Sequence, residues 1–308
     1  MIHSEGPKRE PWLNRKFRFS IIIAVYNDWL PLDRCLRSLA CQTIGPSFEV
    51  IIVDDGSQEK IPESILNRGR FFSLTAIRQC HAGIPAARNA GIKAAKGSIL
   101  VFVDADCDLQ SDCLEVLDSR VSRHSQHNCF QLHLVGDCST LVGRAEELRL
   151  SALQRHHLQA DGRIRYLNTA GFAIRRSMVD TERGLFDPTA PRAEDTLLLV
   201  TLMQKGEPPL FVADAVVQHA VSLTLGECLR KDIRTVLLEK RAYQIIAAKG
   251  LRIRLHHWER FRMLLSMWRV SANRSIGRPA WFVLIWRQGL QRTVSLASRY
   301  LMLTFSGF

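Results

Sequence analysis

FSIIIAVYN, residues 19–27, is the first of three apolar runs that decide the fold, and the other two are FEVIIVDDGS (48–57) and SILVFVDADCD (98–108). β-Branched residues dominate each run, which is typical of parallel strands buried on both faces. A further strand is expected near residues 72–77, and helical patterns occupy 32–39 and 84–96. The alternation of strands and helices predicts an α/β fold with a doubly wound, mostly parallel central sheet.

Polar side chains end all three runs. Asn27 closes the first, Asp54 and Asp55 the second, and Asp104 and Asp106 the third. In a parallel sheet these ends share one edge, where ligands bind. Paired carboxylates there suit a divalent cation such as Mg²⁺ or Mn²⁺, which would neutralise a diphosphate. A solvated Asp-rich turn is the alternative, but two acid clusters at neighbouring strand ends favour a binding site.

The sequence contains no glycine-rich phosphate loop, because GxGxxG and the Walker pattern are both missing. The charge of a phosphate would have to be met by the metal and by basic side chains, of which Arg88 is the nearest. GxSxG is also missing, so a serine nucleophile has no support.

The chain has 308 residues, 46% hydrophobic and 23% charged, as in ordinary globular proteins. Its formal net charge is +12, and the excess lies at the C-terminal end. Residues 1–225 contain 26 basic and 26 acidic side chains, whereas residues 226–308 contain 16 basic and four acidic ones. Eight arginines and no acid follow Glu259. A neutral body therefore carries a cationic tail.

The eight cysteines form no CxxC pair, which is typical of reduced thiols in a cytoplasmic protein. The N-terminal segment MIHSEGPKREPWLNRKFRF contains no apolar core of a secretory signal. No run of 18 uncharged apolar residues predicts a membrane span. We therefore expect a cytoplasmic protein, peripheral on the inner face of the cell membrane.

Six motifs occur in an order that resembles the family 2 glycosyltransferases, the inverting group with the GT-A fold. They are SIIIAVYN, VIIVDDGS, AGIPAARNAGIKAAKGSILVFVDAD, NTAGFAIRRS, RAEDTLLLVTLMQKG and VVQH. The resemblance runs from about Phe19 to about His219. It implies a GT-A, Rossmann-like catalytic domain over 19–225. Outside the resemblance lie an N-terminal extension (1–18) and a tail (226–308) that we expect to be basic, amphipathic and helical.

The resemblance also assigns residues to the donor. Tyr26 would stack on the nucleotide base, and Asp54 or its neighbour Asp55 would hydrogen-bond the base, with Asp54 preferred. Arg88 would approach the base or the diphosphate. Asp104 would face the ribose.

The same resemblance assigns two residues to the metal, one more to the donor and one to catalysis. Asp106 would bind the divalent metal, and His219 would complete its coordination through an imidazole nitrogen. Glu194 would belong to the donor site. Asp195 would be the general base that takes the proton of the acceptor hydroxyl; on residue type alone, the Glu194–Asp195 pair could equally be first-turn acids that complement a helix dipole.

The tail shows two amphipathic helical stretches. At 100° per residue, one polar arc collects Arg287, Gln288, Gln291, Arg292, Ser295, Ser298 and Arg299, and apolar residues occupy the other side. Upstream, an apolar stripe collects Trp258, Phe261, Leu265 and Trp268. Basic helices that contain Trp suit an anionic membrane surface. Packing on the catalytic body is the alternative, and nucleic acid is disfavoured because no recognised binding module accompanies the charge.

These observations predict a metal-dependent, inverting glycosyltransferase that uses a nucleotide-sugar donor, UDP- or GDP-linked, and a glycan or lipid-linked acceptor. The QxxRW element of processive polysaccharide synthases is missing, so single-sugar addition is favoured. Two alternatives remain. A sugar-phosphate nucleotidyltransferase would need a glycine-rich loop after the first strand, and an inactive nucleotide-sugar-binding protein would not need the acids at 104, 106 and 195.

Overall fold

The computed structural model describes residues 16–45, 47–190, 192–220, 224–248, 257–273 and 276–305. Most of the expected N-terminal extension, residues 1–15, therefore lies outside the described residues. The side chains of Ser298 and Arg299, two members of the expected polar arc, also lie outside the described part of the chain.

One mixed sheet forms the centre of the fold. Its strands are β1 (Phe19–Val25), β2 (Phe48–Asp54), β3 (Ser73–Arg78), β4 (Ile99–Phe102), β5 (Cys107–Leu109), β6 (Cys129–Gly136), β7 (Phe172–Arg175) and β8 (Leu210–His219). Within the described residues their order is β3-β2-β1-β4-β7-β6-β8-β5. The pairs β1–β2, β2–β3, β1–β4 and β6–β8 are parallel, whereas β7 and β5 run against their neighbours. The predicted fold class is confirmed, with more antiparallel pairing than the apolar runs indicated.

Helices cover both faces of the sheet. They are α1 (Trp29–Ala40), α2 (Glu63–Leu66), α3 (Ile84–Ala94), α4 (Cys113–Arg123), α5 (Leu141–His157), α6 (Glu194–Gln204), α7 (Leu225–Ala248), α8 (His257–Val270) and α9 (Arg278–Phe305). Alternate residues of β1 point to opposite faces, so Ile21 lies in one apolar cluster with Leu36 of α1 and Leu117 of α4. Ile22 packs with Ile92 of α3 on the other face. This two-sided burial, about 1.5–3 kcal/mol for each large apolar side chain, is why β1 and β2 show no polar alternation.

The stretch 98–108 is two strands rather than the one that its sequence predicts. β4 ends at Phe102, and the chain turns through Val103–Asp106 before β5 begins at Cys107. Cys107 then pairs antiparallel with His219 at the end of β8. Because of this turn, Asp104 and Asp106 lie in a loop at the carboxyl edge of the sheet.

The C-terminal helices pack on the catalytic body. Met267 of α8 and Leu284 of α9 lie in one apolar cluster with Leu148 of α5. Arg287 of α9 is buried and forms a two-pronged ion pair with Asp232 of α7, at 2.7 and 2.9 Å. We expected Arg287 to lie on the polar side of α9, and this expectation is wrong. The guanidinium can be buried because the carboxylate of Asp232 compensates its charge. In the described part of the chain, no helix is both long and apolar enough to cross a bilayer.

Candidate active site

An exposed aromatic ring stands beyond the end of β1. Tyr26 is 47% exposed, and its ring centroid lies 4.4 Å from that of His81. The next residue, Asn27, has a left-handed φ of 56°. The Asn27 N–H donates to Ser57 Oγ at 2.8 Å, and the Asn27 side-chain oxygen accepts from the Gln58 N–H at 2.7 Å. These bonds fix the loop after β1 to the loop after β2 and hold the Tyr26 ring at the sheet edge.

Asp54 and Asp55 hold the neighbouring loops together. Asp54 is completely buried, and its Oδ1 accepts from the Ser57 N–H at 2.8 Å. Asp55 accepts from the backbone N–H groups of Ala82 and Gly83 at 2.9 and 2.8 Å, just before α3 begins. Both carboxylates therefore shape the loops that carry Tyr26 and His81. Their direct contact with a nucleotide base stays a prediction.

Arg88 joins two carboxylates that are far apart in the sequence. Its Nη2 donates to Asp104 Oδ1 at 2.7 Å and its Nη1 to Glu194 Oε1 at 2.6 Å, while its carbon Cζ lies 5.4 Å from the centre of the Phe186 ring. Burial alone would lower the pKa of Arg88, but the two carboxylates outweigh it and raise that pKa. Arg88 is only 3% exposed. Its guanidinium is therefore enclosed, and it holds the carboxylates of Asp104 and Glu194 in place.

Asp106 and His219 form a pair next to this cluster. His219 Nε2 lies 3.3 Å from Asp106 Oδ2, and the Ala220 N–H donates to the Asp106 carbonyl at 2.9 Å. Burial alone would raise the pKa of Asp106, but the hydrogen bond and charge of His219 bring it below its usual value. Burial would lower the pKa of His219, yet the hydrogen bond to Asp106 raises it. Each side chain of the pair therefore shifts the pKa of the other through their shared hydrogen bond.

The donor atoms of this pair fit a hard divalent cation. Ligand atoms of Asp106, Cys107 and His219 all lie within 4.8 Å of one another. Carboxylate oxygen and imidazole nitrogen are ligands that Mn²⁺ accepts, and the carboxylate also suits Mg²⁺. Burial raises the pKa of the Cys107 thiol well above its usual value, which keeps it protonated and a poor ligand. Asp106 and His219 are therefore the residues that could hold the metal.

Asp195 lies at the start of α6. Its Oδ1 accepts from the Thr196 N–H at 2.6 Å, and the preceding Ala193 has a left-handed φ of 59°. Removal from water, and next the charge of Glu194, raise the pKa of Asp195 to about 7, against the lowering effect of Thr196 and Arg88. A carboxyl group with this pKa can accept a proton near neutral pH.

Sequence reasoning missed a partly buried ion pair near Asp195. Arg149 and Glu146 of α5 pair through two hydrogen bonds, Nε to Oε2 at 3.0 Å and Nη2 to Oε1 at 2.5 Å. Burial would raise the pKa of Glu146, but Arg149 lowers it to about 2. Burial raises the pKa of Tyr166 to about 12, and the Asp195 charge acts on both Tyr166 and Arg149. The only sequence signal was an i, i+3 charge pair in a helix, which is usually a solvated feature.

Lys231 of α7 is a further residue near the site that sequence reasoning missed. It is exposed, and its charge contributes to the lowered pKa of Asp106. Its charge also acts on Asp28, where burial and the charge of Asp106 outweigh it and raise the pKa. The cationic C-terminal region therefore reaches the electrostatic environment of the candidate metal pair.

Solved structures share this architecture. The *S. aureus* protein TarS, residues 1–349 in complex with UDP, superposes with a TM-score of 0.56 at 20% identity, covering 92% of each chain. A mannosyltransferase from *Pyrobaculum calidifontis*, in complex with GDP-Man and Mn²⁺, gives a TM-score of 0.57 at 17% identity, covering 94% of this chain and 86% of that one. At these identities the likeness concerns the fold, which is the GT-A fold of glycosyltransferases.

Curated relatives match part of the chain. Glycosyltransferase AglE of *Haloferax volcanii* is 38% identical over 103 residues, 31% of this chain and 33% of its own length. A cholesterol galactosyltransferase of *Borreliella burgdorferi* is 30% identical over 123 residues, 39% of this chain and 34% of its own length. The chain thus aligns with about a third of each relative.

The names of these relatives agree with the enzyme class that the sequence predicts, a glycosyltransferase. The model of glycosyl transferase family 2 matches residues 20–183, more than half of the chain and most of the elements that carry the site. The chain therefore belongs to glycosyl transferase family 2.

Proposed function

We propose that this glycosyltransferase is metal-dependent and inverting, and that it moves a hexose from a nucleotide sugar to an acceptor hydroxyl. One observation carries the proposal: a continuous series of ionisable groups at the carboxyl edge of the sheet. Asp106 is two residues from Asp104, Asp104 and Glu194 share Arg88, and Glu194 adjoins Asp195. A cation site and a proton acceptor are thereby linked through one chain of hydrogen-bonded and adjoining residues.

The proposed reaction is a single displacement. The acceptor oxygen attacks the anomeric carbon while its proton passes to the Asp195 carboxylate. The bond from that carbon to the diphosphate oxygen breaks in the same step, and its electron pair leaves with the nucleoside diphosphate. The configuration at the anomeric carbon is inverted. One base suffices, and the pKa of about 7 makes Asp195 effective near neutral pH.

Asp106 and His219 would hold the metal. A bound Mg²⁺ or Mn²⁺ would neutralise the charge that develops on the leaving diphosphate. Asp106 offers carboxylate oxygens and His219 offers Nε2, once the hydrogen bond between them gives way to coordination. Arg88, Asp104 and Glu194 would shape the adjoining part of the donor site.

The donor is a nucleotide sugar, with UDP- or GDP-linked sugars as the classes to test. Tyr26 offers an exposed ring on which a base can stack, with His81 behind it. Two solved structures of the same fold contain UDP and GDP-Man, which supports a nucleoside diphosphate donor.

The acceptor is a glycan or a lipid-linked glycan at the cytoplasmic face of the membrane, in polysaccharide biosynthesis, and one sugar is added at a time. Two observations support this part of the proposal. The whole positive excess lies in residues 226–308, and one matched relative is named for a lipid acceptor, cholesterol.

A thermal-shift screen of UDP- and GDP-sugars, with Mn²⁺ or with EDTA, tests the proposal. A ligand at a hundred times its Kd stabilises a protein by about 2.7 kcal/mol, which raises Tm by several degrees. We expect this rise for one nucleotide series with Mn²⁺, its loss in Asp106→Asn, and its retention in Asp108→Asn. Asp108 is the matched control, a neighbouring carboxylate that pairs with Arg34. No rise with any nucleotide sugar, or an equal rise in EDTA, contradicts the proposal.

A further inference from the structure

Large apolar side chains remain exposed on α8 and α9, and we call them the aromatic face. Those of α8 follow one stripe at helical spacing, and those of α9 lie on one side of that helix. Their exposed fractions are Trp258 69%, Phe261 52%, Leu265 41%, Trp268 37%, Phe282 58%, Trp286 51% and Leu296 65%.

Packing of the two helices on the body does not require the aromatic face. The contact with α5 is made by other residues, among them Met267, Ala280 and Leu284, which are at most 2% exposed. Exposed apolar groups that lie together on a surface mark an interaction site. Burying them recovers about 25 cal/mol for each Å² removed from water.

The centre of the aromatic face is pre-arranged. Trp268 lies 6.2 Å from Phe282 and 4.9 Å from Trp281, measured between ring centroids. Arg278 stacks over Trp268 with its Cζ 3.6 Å from the ring centre, and its Nη1 also donates to the Trp268 carbonyl. The turn between α8 and α9 therefore presents a fixed group of rings beside a permanent positive charge.

Charge identifies the partner. Arg262, Arg269 and Arg292 are exposed on the same two helices, and no acidic residue follows Glu259 in the sequence. A second copy of this chain would oppose like charges. Anionic lipid headgroups complement the arginines, and Trp side chains favour the boundary between headgroups and acyl chains.

We infer that the aromatic face docks on the surface of an anionic lipid bilayer, with its rings in the headgroup region. One helix, α5, separates this face from the active site, because α5 packs on α8 and α9 through Leu148 and carries the Glu146–Arg149 pair near Asp195. The inference rests on the proposed function in that a lipid-linked acceptor would lie close to such a surface.

Co-sedimentation of the full chain with vesicles tests the inference, without donor or acceptor. Neutral phosphatidylcholine vesicles are compared with vesicles that contain phosphatidylglycerol. We expect strong pelleting only with the anionic vesicles, weakened by salt. Each arginine near the surface contributes about 1 kcal/mol, or about five-fold in partitioning. The triple variant Arg262→Gln/Arg269→Gln/Arg292→Gln should therefore lose on the order of a hundred-fold, and Arg123→Gln on α4 is the exposed control.

A second triple variant, Trp258→Ala/Phe261→Ala/Trp286→Ala, tests the rings. It should lose at least ten-fold in partitioning, whereas Phe71→Ala should lose nothing. Phe71 is the matched control, a ring on the body that is 45% exposed and lies under Arg70. In the unaltered protein, lipids brominated in the acyl chain should quench the tryptophan fluorescence, which needs no variant to fold.

Several outcomes would overturn the inference. They are equal pelleting with neutral and anionic vesicles, no quenching by brominated lipid, or the same loss in Phe71→Ala as in the ring variant. Displacement of the vesicles by duplex DNA at equal phosphate would indicate a nucleic-acid surface instead. Nucleoside diphosphate binding, measured separately by calorimetry, should stay unchanged in both triple variants, so failure of the docking inference and failure of the glycosyltransferase proposal are distinguishable.

Discussion

Replacing Asp195 by asparagine removes the proposed proton acceptor and keeps its shape. The new amide oxygen can still accept from the Thr196 N–H, which lies 2.6 Å from Asp195 Oδ1. Asp195 does not contact Arg88 in the donor cluster, where Glu194 makes that bond. We expect kcat to fall on the order of 10²–10⁴-fold with little change in donor Kd, because an amide does not take the acceptor's proton.

The pH dependence of the wild-type enzyme should show the same group. With a pKa of about 7, Asp195 is ionised in about one tenth of the molecules at pH 6 and in about nine tenths at pH 8. The transfer rate should therefore fall about ten-fold per pH unit below neutrality. This acidic limb should disappear from the residual rate of Asp195→Asn.

Stability gives a second readout of Asp195. Its pKa is raised from 3.8 to about 7, so the folded state keeps a proton that the unfolded chain releases above about pH 4. The side chain therefore costs stability progressively as pH rises from about 4 to 7, by at most about 4 kcal/mol. Asparagine carries no such cost. If about 1 kcal/mol is realised, the Tm of Asp195→Asn should exceed that of the wild type by about 2–4 °C at pH 8 and match it near pH 4.

Three measurements on Asp195→Asn test these expectations: a transfer assay, a calorimetric titration with the donor, and Tm in EDTA at pH 4 and pH 8. Glu182→Gln is the control, because it removes a carboxylate that is 88% exposed as a side chain. A near-normal rate in Asp195→Asn, together with lost donor affinity or a lower Tm at pH 8, would refute the assignment of Asp195 as a partly buried general base.

Three further predictions concern the rest of the site. Asp106→Ala should abolish Mn²⁺-dependent binding of a nucleoside diphosphate, as measured by calorimetry; binding that is unaltered and insensitive to EDTA would argue against the metal pair with His219. Arg88→Met leaves two carboxylates without their shared cation, so urea unfolding should show a loss of about 3 kcal/mol, and a loss below about 0.5 kcal/mol would contradict the buried network. Lys231→Gln should weaken nucleoside diphosphate binding about five-fold, since a cation near Asp106 is removed, whereas Arg234→Gln one turn further along α7 should not; equal effects would show that net charge alone matters.

Local sequence patterns are enough to predict the parallel strands at the start of the chain and the sheet edge that carries the site. Apolar runs without polar alternation are a local signal of strands covered on both faces, and β1 and β2 are buried in this way. Polar residues at the ends of parallel strands must meet at one edge, so Asp54 and Asp104 could be placed there before any coordinates. The order of the six motifs gave the family for the same reason: local patterns survive in the linear chain.

Which of these groups are in contact depends on the packing of elements that are distant in the sequence. The Arg88–Glu194 bond joins residues 106 positions apart, and the turn from β4 into β5 brings Asp106 to His219. No periodicity encodes such pairings, because they depend on how β5 and β8 lie in the sheet. The pKa of Asp195 likewise follows from its removal from water and from Glu194, not from its residue type.

The tail shows the same limit of local patterns. Its composition predicted cationic amphipathic helices, but helical spacing cannot say which side of a helix meets a neighbour. Burial of Arg287 against Asp232 turns part of the expected polar arc of α9 inward, while Trp286 remains 51% exposed. Which side of a helix faces inward depends on the groups of the neighbouring helices that pack against it or pair with its charges. These neighbours are known only once α5, α7 and α9 are packed together.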